Sequence, residues 1–522
     1  MPTELLDKSS LVQDDIKSPY PEILEELDSS KNQESSQPAT LKRRFNLLTL
    51  LSMVIAASAG WESIITSLYQ VCIGGGPTVL VWGYIISAIA AIFVSCSLAE
   101  FASIWPTSAG QSHWTVALSP PKYRKILGWY SAWVLLLMTT LSSIGAVYAC
   151  CMQTQSMVAI THPDYVAERW HVYVMFLFIS IFTLTVNGMA PRIIHYVSIF
   201  GMIFHILGFF AIIITLLITT KNKNSARDVF WSIQDNTGWN SDTMAFFIGM
   251  LPGAFGFLAI DMPARYSEET KKPGLDVPRS MCWGIVGTAL IGLVFVLALA
   301  FCMGDPAELL QSPIVSLNPL ALIVINSTGS TAAAIGLSAS IVIVAFTSSI
   351  DSVGSVSRVI MALARDNILP FGEFFAQIHP KWNAPFNAVC LAVALEISIA
   401  VIYVGNATAY YCIASGVVTL QVSSYMLPIA LQLIFRKRNN IKYGEWSLGS
   451  KRYFFNIMGI LIDLLIFIVM LFPTTKPITA SNMNYGSAIV GGTLILATIL
   501  YFIWGKKHYI GPLIHLEGMS PN

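Results

Sequence analysis

Two long apolar segments of this chain, residues 50–73 and 244–264, are each interrupted near the middle by small residues. The interruptions are Ser58-Ala59-Gly60-Trp61-Glu62 and Pro252-Gly253-Ala254-Phe255-Gly256-Phe257. A helix that opens inside a bilayer leaves backbone N–H and C=O groups without partners, which is tolerated only where the backbone is buried in protein or lines a cavity. A pair of such breaks, one opening each half of the chain, is typical of the solute site of a secondary transporter.

The composition predicts a membrane protein. Hydrophobic residues make up 55% of the 522 residues and charged residues only 11%, with a net charge of +1. So little charge cannot cover a soluble globule of this size. No nucleic acid or acidic partner is expected from this charge balance. The eight cysteines show no CxxC spacing, so neither a disulfide framework nor a metal site is expected.

The apolar runs predict an all-α integral membrane protein with twelve transmembrane helices, because about 20 apolar residues cross a bilayer as a helix. The runs lie at 46–73, 78–103, 126–159, 171–188, 193–220, 243–265, 280–303, 332–362, 385–404, 408–435, 453–473 and 485–504. With both termini in the cytosol, most Lys and Arg residues fall on the inside, as expected for cytoplasmic connections. The outer loops would hold only Arg169, Lys221, Lys223, Arg227 and Lys476.

Three regions follow from this division. Residues 1–41 are predicted to form a disordered cytosolic tail, since a polar, acidic stretch cannot bury enough apolar surface to order itself. Residues 42–505 are predicted to form the twelve-helix domain, and residues 506–522 a short cytosolic C-terminal tail. The N-terminal tail is a candidate for regulation by ubiquitin or phosphorylation.

Several short motifs carry a resemblance to a known family. In order along the chain they include Gly74-Gly75-Gly76-Pro77, Ser97-Leu98-Ala99-Glu100, Pro120-Pro121-Lys122-Tyr123, Ser267-Glu268-Glu269 and Ala364-Arg365-Asp366-Asn367. From about residue 42 to 505 the chain resembles the fungal amino acid/choline permeases of the amino acid–polyamine–organocation superfamily. The resemblance implies a five-plus-five inverted repeat with discontinuous helices 1 and 6, two peripheral helices, and alternating access usually driven by a proton gradient.

Both breaks are predicted to bind the solute. Half-helix ends offer N–H groups to a carboxylate and C=O groups to an ammonium, so they can hold a zwitterion without a basic side chain. The alternative is that the small residues only permit close helix packing. The predicted binding residues are Ser58, Ala59, Gly60, Trp61, Glu62, Gly253, Ala254, Phe255, Gly256 and Phe257.

Trp61 and Glu62 bear on the kind of solute. A tryptophan face attracts a cationic nitrogen by about 0.5 to 2 kcal/mol, and an acidic residue inside a span is functional by default. We therefore expect Glu62 to favour an amine or quaternary nitrogen; the alternative is a protonated Glu62, or one bonded to a neighbouring helix. Phe255 and Phe257 are expected to form an aromatic wall, with core packing as the alternative.

Charged residues on the cytosolic side are candidates for a gate. Glu268 and Glu269 are expected to form salt bridges there with Arg358 or Arg365, and the alternative is a solvated run of charge. Within the family resemblance, the segment that contains Arg365 corresponds to an inner-loop motif. A topological anchor at the membrane surface explains that motif as well as a moving gate does.

Three further ionisable residues lie within apolar runs. Asp261, a candidate for gating or coupling, is expected to form a structural ion pair with Arg265 rather than to touch the solute. Asp351 is a candidate for ion or proton handling, with a buried hydrogen bond as the alternative. His205 could titrate near neutral pH, although a single membrane histidine is also compatible with a packing role.

These observations predict a plasma-membrane permease that imports a small nitrogenous solute, with an amino acid or a γ-amino acid such as GABA as the first choice. The lipid bilayer and this solute are the expected partners, and no cofactor is expected beyond a driving proton gradient. Choline or another organic cation such as thiamine is the alternative solute. A non-transporting nutrient sensor is the alternative from another class. No HExxH motif or Walker loop supports a membrane enzyme.

Overall fold

The fold is described from a computed structural model, over residues 41–162, 164–312, 318–405, 408–435, 441–479 and 482–511. Most of the predicted N-terminal tail, with its candidate regulatory role, lies outside these residues. So does the C-terminal tail beyond residue 511.

The first half of the chain is a series of helices with one short strand pair. The helices are α1 (Leu47–Ser58), α2 (Gly60–Thr66), α3 (Leu68–Ile73), α4 (Gly76–Ile104), α5 (Gly110–Leu118), α6 (Arg124–Thr161), α7 (Arg169–Met189), α8 (Ile194–Thr219) and α9 (Ala226–Phe230), with a 3₁₀ turn at Pro191–Ile193. Strand β1 (Gly74–Gly75) pairs antiparallel with β2 (Gln234–Asp235).

The second half continues in the same way. Its helices are α10 (Asp242–Ile248), α11 (Leu251–Phe255), α12 (Met262–Arg265), α13 (Pro273–Cys302), α14 (Pro306–Leu310), α15 (Pro319–Thr328), α16 (Thr331–Arg365), α17 (Gly372–Phe375), α18 (Phe386–Ala400), α19 (Ile402–Gly405), α20 (Thr408–Phe435), α21 (Arg452–Val469), α22 (Gly486–Leu500) and α23 (Lys506–His508). Shorter turns lie at Ser267–Glu269 and Gly449–Lys451, and a π-helical turn lies at Tyr501–Gly505.

Within the described residues, eleven helical segments are long and apolar enough to cross a membrane. They match eleven of the twelve predicted runs to within a few residues, with two larger differences: the first segment ends at Thr66 instead of 73, and α13 begins at Pro273 instead of 280. The twelfth, predicted at 243–265, does not form one continuous helix: it is divided into α10, α11 and α12. A multi-pass membrane protein is therefore confirmed, while the count of twelve spans rests on reading these three short helices as one.

The first break has a clear local cause. α1 begins with a capping box, in which Asn46 accepts a hydrogen bond from the Thr49 N–H at 3.0 Å and the Thr49 hydroxyl accepts one from the Asn46 N–H at 2.9 Å. It ends at Ala59, whose backbone is left-handed with φ 43° and ψ 49°. A non-glycine residue in this conformation carries strain of about 1 to 3 kcal/mol, which persists only where the surrounding structure enforces it.

The second break lies slightly later than the sequence predicted. Pro252 to Phe255 lie within the short helix α11, and the chain opens over residues 256–261, between α11 and α12. An earlier interruption at Gly249 separates α10 from α11. A Cβ atom added to Gly249 would lie 2.0 Å from the carbonyl oxygen of Gly74, so the two chain segments can pack this closely only because residue 249 is glycine.

Long helices enclose the two breaks. α6 packs along α16, and α4 packs along α13. α8 packs against both α1 and α16, and α11 contacts α2. Buried aliphatic and aromatic residues of these helices form continuous apolar clusters. The breaks therefore lie in the interior of the helix assembly.

Candidate functional site

The two helix breaks contact each other through glycine. A Cβ atom added to Gly256 would lie 3.1 Å from the carbonyl oxygen of Gly60 and 3.4 Å from the hydroxyl oxygen of Ser63. The Ser63 hydroxyl donates to the same Gly60 carbonyl at 3.0 Å. On its other side Gly60 faces α13, where an added Cβ would lie 2.5 Å from the Thr288 methyl group. Close packing, the alternative interpretation of these small residues, thus applies to both glycines.

A cavity of about 70 Å³ lies beside this contact. One water needs about 10 to 15 Å³ by this measure, so the cavity has room for several waters. It is bordered by α1, α2, α6, α16 and the end of α11. Its lining residues are Ala57, Ser58, Ala59, Glu62, Ser63, Thr66, Ser142, Gly145, Ala146, Ala149, Phe255, Leu258, Ile341, Ala345, Ser348 and Ser352.

Glu62 is the single charged residue of this lining. One carboxylate oxygen, Oε1, lies 2.8 Å from Nδ1 of His205 on α8. The other, Oε2, has no hydrogen-bond partner among the described residues. Glu62 is therefore hydrogen-bonded to a neighbouring helix, as one alternative proposed. It also borders the cavity with one unused acceptor, as solute recognition would require.

Trp61 is placed differently from the sequence-based expectation. Its side chain is fully buried and does not belong to the cavity lining. The ring packs against Phe295, with centroids 5.0 Å apart, and against His205 at 5.6 Å. In this conformation Trp61 supports the residue that holds Glu62 and does not present its face to a solute.

The predicted residues of the second break also divide into two groups. Phe255 borders the cavity. Gly253 packs on α4, where an added Cβ would lie 2.9 Å from the Gly83 carbonyl oxygen. Phe257 turns away from the cavity and packs against the Tyr84 ring at 5.4 Å, and Ala254 lines a separate small cavity with it. The expected wall of two aromatic rings is thus reduced to Phe255.

Asp261 lies in a buried hydrogen-bond network outside the cavity lining. Arg265 binds both of its carboxylate oxygens, with Nη2 at 2.6 and 2.7 Å. Gln111 donates to it at 2.6 Å, and the Tyr425 hydroxyl donates at 2.7 Å. Arg265 also donates to Ser355 at 2.8 Å. The ion pair expected from the sequence is present and joins α12 to α5, α16 and α20.

Both acidic residues expected at the gate form ion pairs with α16. Arg365 donates to Glu268 at 2.6 and 3.0 Å, and Arg358 donates to Glu269 at 2.9 Å. The second pair is almost completely buried, and the Arg358 guanidinium also lies 4.8 Å from the centroid of the Tyr266 ring. The contacts join the turn after the second break to the end of α16. A role in gating stays a prediction.

The pKa of Glu268 is lowered by its surroundings. Burial raises the pKa of this carboxyl, but the charge and hydrogen bonds of Arg365 lower it more, with a further contribution from the Ser108 N–H. The Ser108 N–H donates at 3.3 Å. Glu268 is therefore held in its ionised form, as an ion pair requires.

Asp351 is buried on α16 near the cavity. The Ser198 hydroxyl donates to Oδ1 at 2.9 Å, while Oδ2 has no partner among the described residues. The neighbouring turn of the helix reaches the cavity through Ser348 and Ser352, but Asp351 itself is not part of the lining. The buried hydrogen bond that the sequence suggested is present, and ion or proton handling stays a prediction.

Sequence reasoning missed the wall of mostly small residues contributed by α6 and α16. Ser142, Gly145, Ala146 and Ala149 on α6 border the cavity, as do Ile341, Ala345, Ser348 and Ser352 on α16. Both sets follow the three- and four-residue spacing of one helix face. Stripes of small and polar residues at this spacing were the available signal. The sequence alone did not show that the two stripes face each other.

Comparison with known proteins gives one family and several fungal relatives. A family model described as amino acid permease matches residues 45–495. A choline transporter of Saccharomyces cerevisiae is 29% identical, over 93% of this chain and 86% of that protein. An uncharacterised amino-acid permease of Schizosaccharomyces pombe is 28% identical over 91% and 88%. Amino-acid permease 2 of Neurospora crassa is 26% identical over 91% and 87%. The matched region contains both helix breaks and the cavity.

Proposed function

The chain belongs to the amino acid permease family, and we propose that it works as a secondary active transporter which imports a small nitrogenous solute by alternating access. Membership confirms the resemblance drawn from the motifs. The chain is thus a multi-pass membrane permease. The solute, the driving ion and the transport cycle form the proposal.

One observation carries the proposal: two helix breaks meet beside a cavity whose lining contains a single carboxylate. Main-chain groups at helix ends suit the charged groups of a zwitterion. Glu62 adds one acceptor for an ammonium group, because its Oε2 is unused. An amino acid or a GABA-like amino acid therefore fits the site, with its ammonium near Glu62 and its carboxylate near free N–H groups of the breaks.

Choline is the second candidate solute. The same unused oxygen of Glu62 would complement a quaternary nitrogen, which needs a negative charge but no hydrogen bond. The relative from Saccharomyces cerevisiae is named as a choline transporter. Choline lacks the carboxylate that would use helix N–H groups, so the two candidates depend on different parts of the same site.

The number of spans, the internal repeat and the location in the cell are also part of this proposal. We take α10 to α12 together as a sixth, discontinuous span, which would bring the total to twelve. The two halves, each opening with a broken helix, would form a five-plus-five inverted repeat with two peripheral helices. The plasma membrane is the proposed location, with both termini in the cytosol and a proton gradient as the driving force.

Uptake by the purified full chain in liposomes tests the function. We expect saturable accumulation of a labelled amino acid or GABA under an inward proton gradient, and loss of accumulation when a protonophore removes that gradient. Competition by amino acids, choline and thiamine ranks the solutes. Binding of a solute without accumulation would instead identify a sensor, and accumulation that ignores the proton gradient would reject proton coupling.

A matched pair of glycine variants tests whether uptake depends on this cavity. Gly145 borders the cavity, and an added Cβ there would meet no atom within 4 Å. Gly336 on α16 has equally open surroundings but lies outside the lining. We expect Gly145→Val to obstruct the solute and reduce uptake, and Gly336→Val to remain close to wild type. Equal uptake by both variants would remove the cavity from the transport path.

A further inference from the structure

Glu62 and His205 form an isolated buried pair at the edge of the cavity. Their side chains are 4% and 1% exposed, and Oε1 lies 2.8 Å from Nδ1. The remaining polar atoms, Oε2 of Glu62 and Nε2 of His205, have no partner among the described residues. Only Glu62 reaches the cavity. The pair thus has one acceptor that a solute can use, and the histidine lies directly behind it.

No other charge in the described structure lies against this pair. The elements packed on α8 are α1, α13, α15, α16 and the 3₁₀ turn at Pro191–Ile193. α1 and α15 carry no titratable side chain, and Arg192 of the 3₁₀ turn lies 13 positions before His205 in the sequence. On α16, Asp351 accepts a hydrogen bond from Ser198, which lies two turns of α8 before His205. On α13, the Cys302 thiol donates to the carbonyl oxygen of Leu216, which lies three turns of α8 after His205. The other ionisable residues of these two helices lie in the first three turns of α13 or the last two turns of α16: Asp276, Arg279, Cys282, Arg358 and Arg365.

Charge balance limits what this pair can hold. An isolated carboxylate in a poorly polarisable interior is strongly disfavoured, so Glu62 requires one positive partner when it is ionised. A second positive charge beside the first would leave a net charge of +1 in the same interior, which carries a similar penalty. A protonated His205 satisfies the requirement, and so does the nitrogen of a cationic solute.

We propose that Glu62 accepts one positive partner at a time, either the proton on His205 or the cationic group of a cationic solute. This inference rests on the proposed function and specifies how charge is recognised at that site. A net-cationic solute such as choline would then displace one proton: the imidazolium of His205 loses it to water, and the neutral His205 keeps its remaining proton on Nδ1, so the hydrogen bond to Oε1 of Glu62 is retained. A net-neutral zwitterion brings its own negative charge and would enter with the proton retained.

The consequence is an opposite pH dependence for two solute classes. Choline keeps its charge at every pH, so any change in its binding reports the protein alone. We expect the dissociation constant of choline to rise as the pH falls, approaching a factor of about ten per pH unit when one proton competes with one cation. GABA binding is expected not to weaken over the same range.

The test measures choline and GABA binding to the purified full-length chain between about pH 5 and pH 8. His205→Gln keeps a polar side chain that cannot take up a proton, so choline binding should become independent of pH. His195→Gln is the matched control, because this histidine lies on the same helix and makes no hydrogen bond to Glu62. It should keep the pH dependence of the wild type.

The wild-type measurement alone is sufficient if a variant fails to fold. Choline binding that is unchanged by pH, or that strengthens in acid, would overturn the inference. So would the absence of choline binding at every pH from a protein that binds GABA, although the proposed function would then still stand. The proposed function fails separately, if no solute of the panel accumulates in liposomes while binding persists.

Discussion

Gly60 and Gly256, one from each helix break, meet so closely that a side chain on Gly256 would press against the Gly60 carbonyl oxygen. An added Cβ atom there would lie 3.1 Å from the Gly60 carbonyl oxygen. The two helix breaks are therefore held in one place by main-chain contact, and the cavity lies beside that contact.

Gly256→Ala should disturb this contact. The Gly60 carbonyl would have to move, and overpacking of this kind costs about 1 to 3 kcal/mol. We expect a lower free energy of unfolding in mixed detergent micelles together with reduced uptake. Gly336→Ala is the control: its added methyl group meets no atom within 4 Å, and alanine is favoured over glycine in a helix by up to about 1 kcal/mol. A fully active, equally stable Gly256→Ala protein would show that the contact is not required.

Glu62→Gln should weaken cationic solutes more than zwitterions. The amide keeps the shape of the side chain but removes the negative charge beside the cavity. Competition between choline and GABA for uptake gives the ratio of their apparent affinities directly. Glu396→Gln is the control, since Glu396 is a buried membrane carboxyl that does not line the cavity; it should leave the ratio unchanged. Equal loss of both solutes in Glu62→Gln would reject recognition of charge by this residue.

The two ion pairs at the end of α16 should differ in their contribution to stability. Arg358→Ala leaves Glu269 buried without a partner and should cost about 3 to 5 kcal/mol. Arg365→Ala breaks a pair whose side chains are 35% and 22% exposed, so it should cost no more than about 1 kcal/mol. Unfolding in mixed micelles compares the two variants.

A double variant provides the control for this comparison. Arg358→Met combined with Glu269→Gln removes both buried charges and should cost less than Arg358→Ala alone, because no uncompensated charge remains. If the double variant loses as much free energy of unfolding as Arg358→Met and Glu269→Gln lose in sum when made singly, Arg358 acts mainly through its contact with the Tyr266 ring.

The lowered pKa of Glu268 predicts a loss of stability in acid. Glu268 binds a proton less readily in the folded protein than in the unfolded chain. Its contribution is therefore complete above the ordinary glutamate pKa of about 4.3 and is lost as the pH falls through its lowered pKa. The difference in thermal stability between wild type and Glu268→Gln should shrink over that range. Glu445→Gln, at an exposed loop position, should show no such trend; a constant difference for Glu268→Gln would contradict the assignment.

Much of the architecture could be predicted because its causes are local. A run of about 20 apolar residues is sufficient to indicate a span, and eleven of the predicted runs are helices in the structure. The positions of both breaks followed from glycine and proline within such runs. The second was placed a few residues too early, because Pro252 fits at the start of a short helix and does not end one.

The ion pairs could also be predicted, because their residues lie close together along the chain or in one short loop. Asp261 and Arg265 are four residues apart, and a helical turn brings such residues together. Glu268 and Glu269 follow the second break in a short loop on the side of the membrane where most Lys and Arg residues are expected, so ion pairs there could be predicted. Which arginine each one binds could not be assigned, since that depends on the rotation of α16.

The proposed solute site was predicted less completely. Four of its expected residues, Ser58, Ala59, Glu62 and Phe255, border the cavity. Trp61 and Phe257 pack into the core, because a kink changes the direction of each following side chain. No periodicity in the sequence reports the angle of that kink.

Composition and residue order alone established that this chain spans a membrane, where its helices run and where two of them break, because these properties depend on neighbours along the chain. Only the packed helices established that Gly60 meets Gly256 and that Glu62 binds His205, 143 positions away. Such contacts depend on how each helix is rotated and tilted against its neighbours, and the rotation is set by the fit of many side chains together.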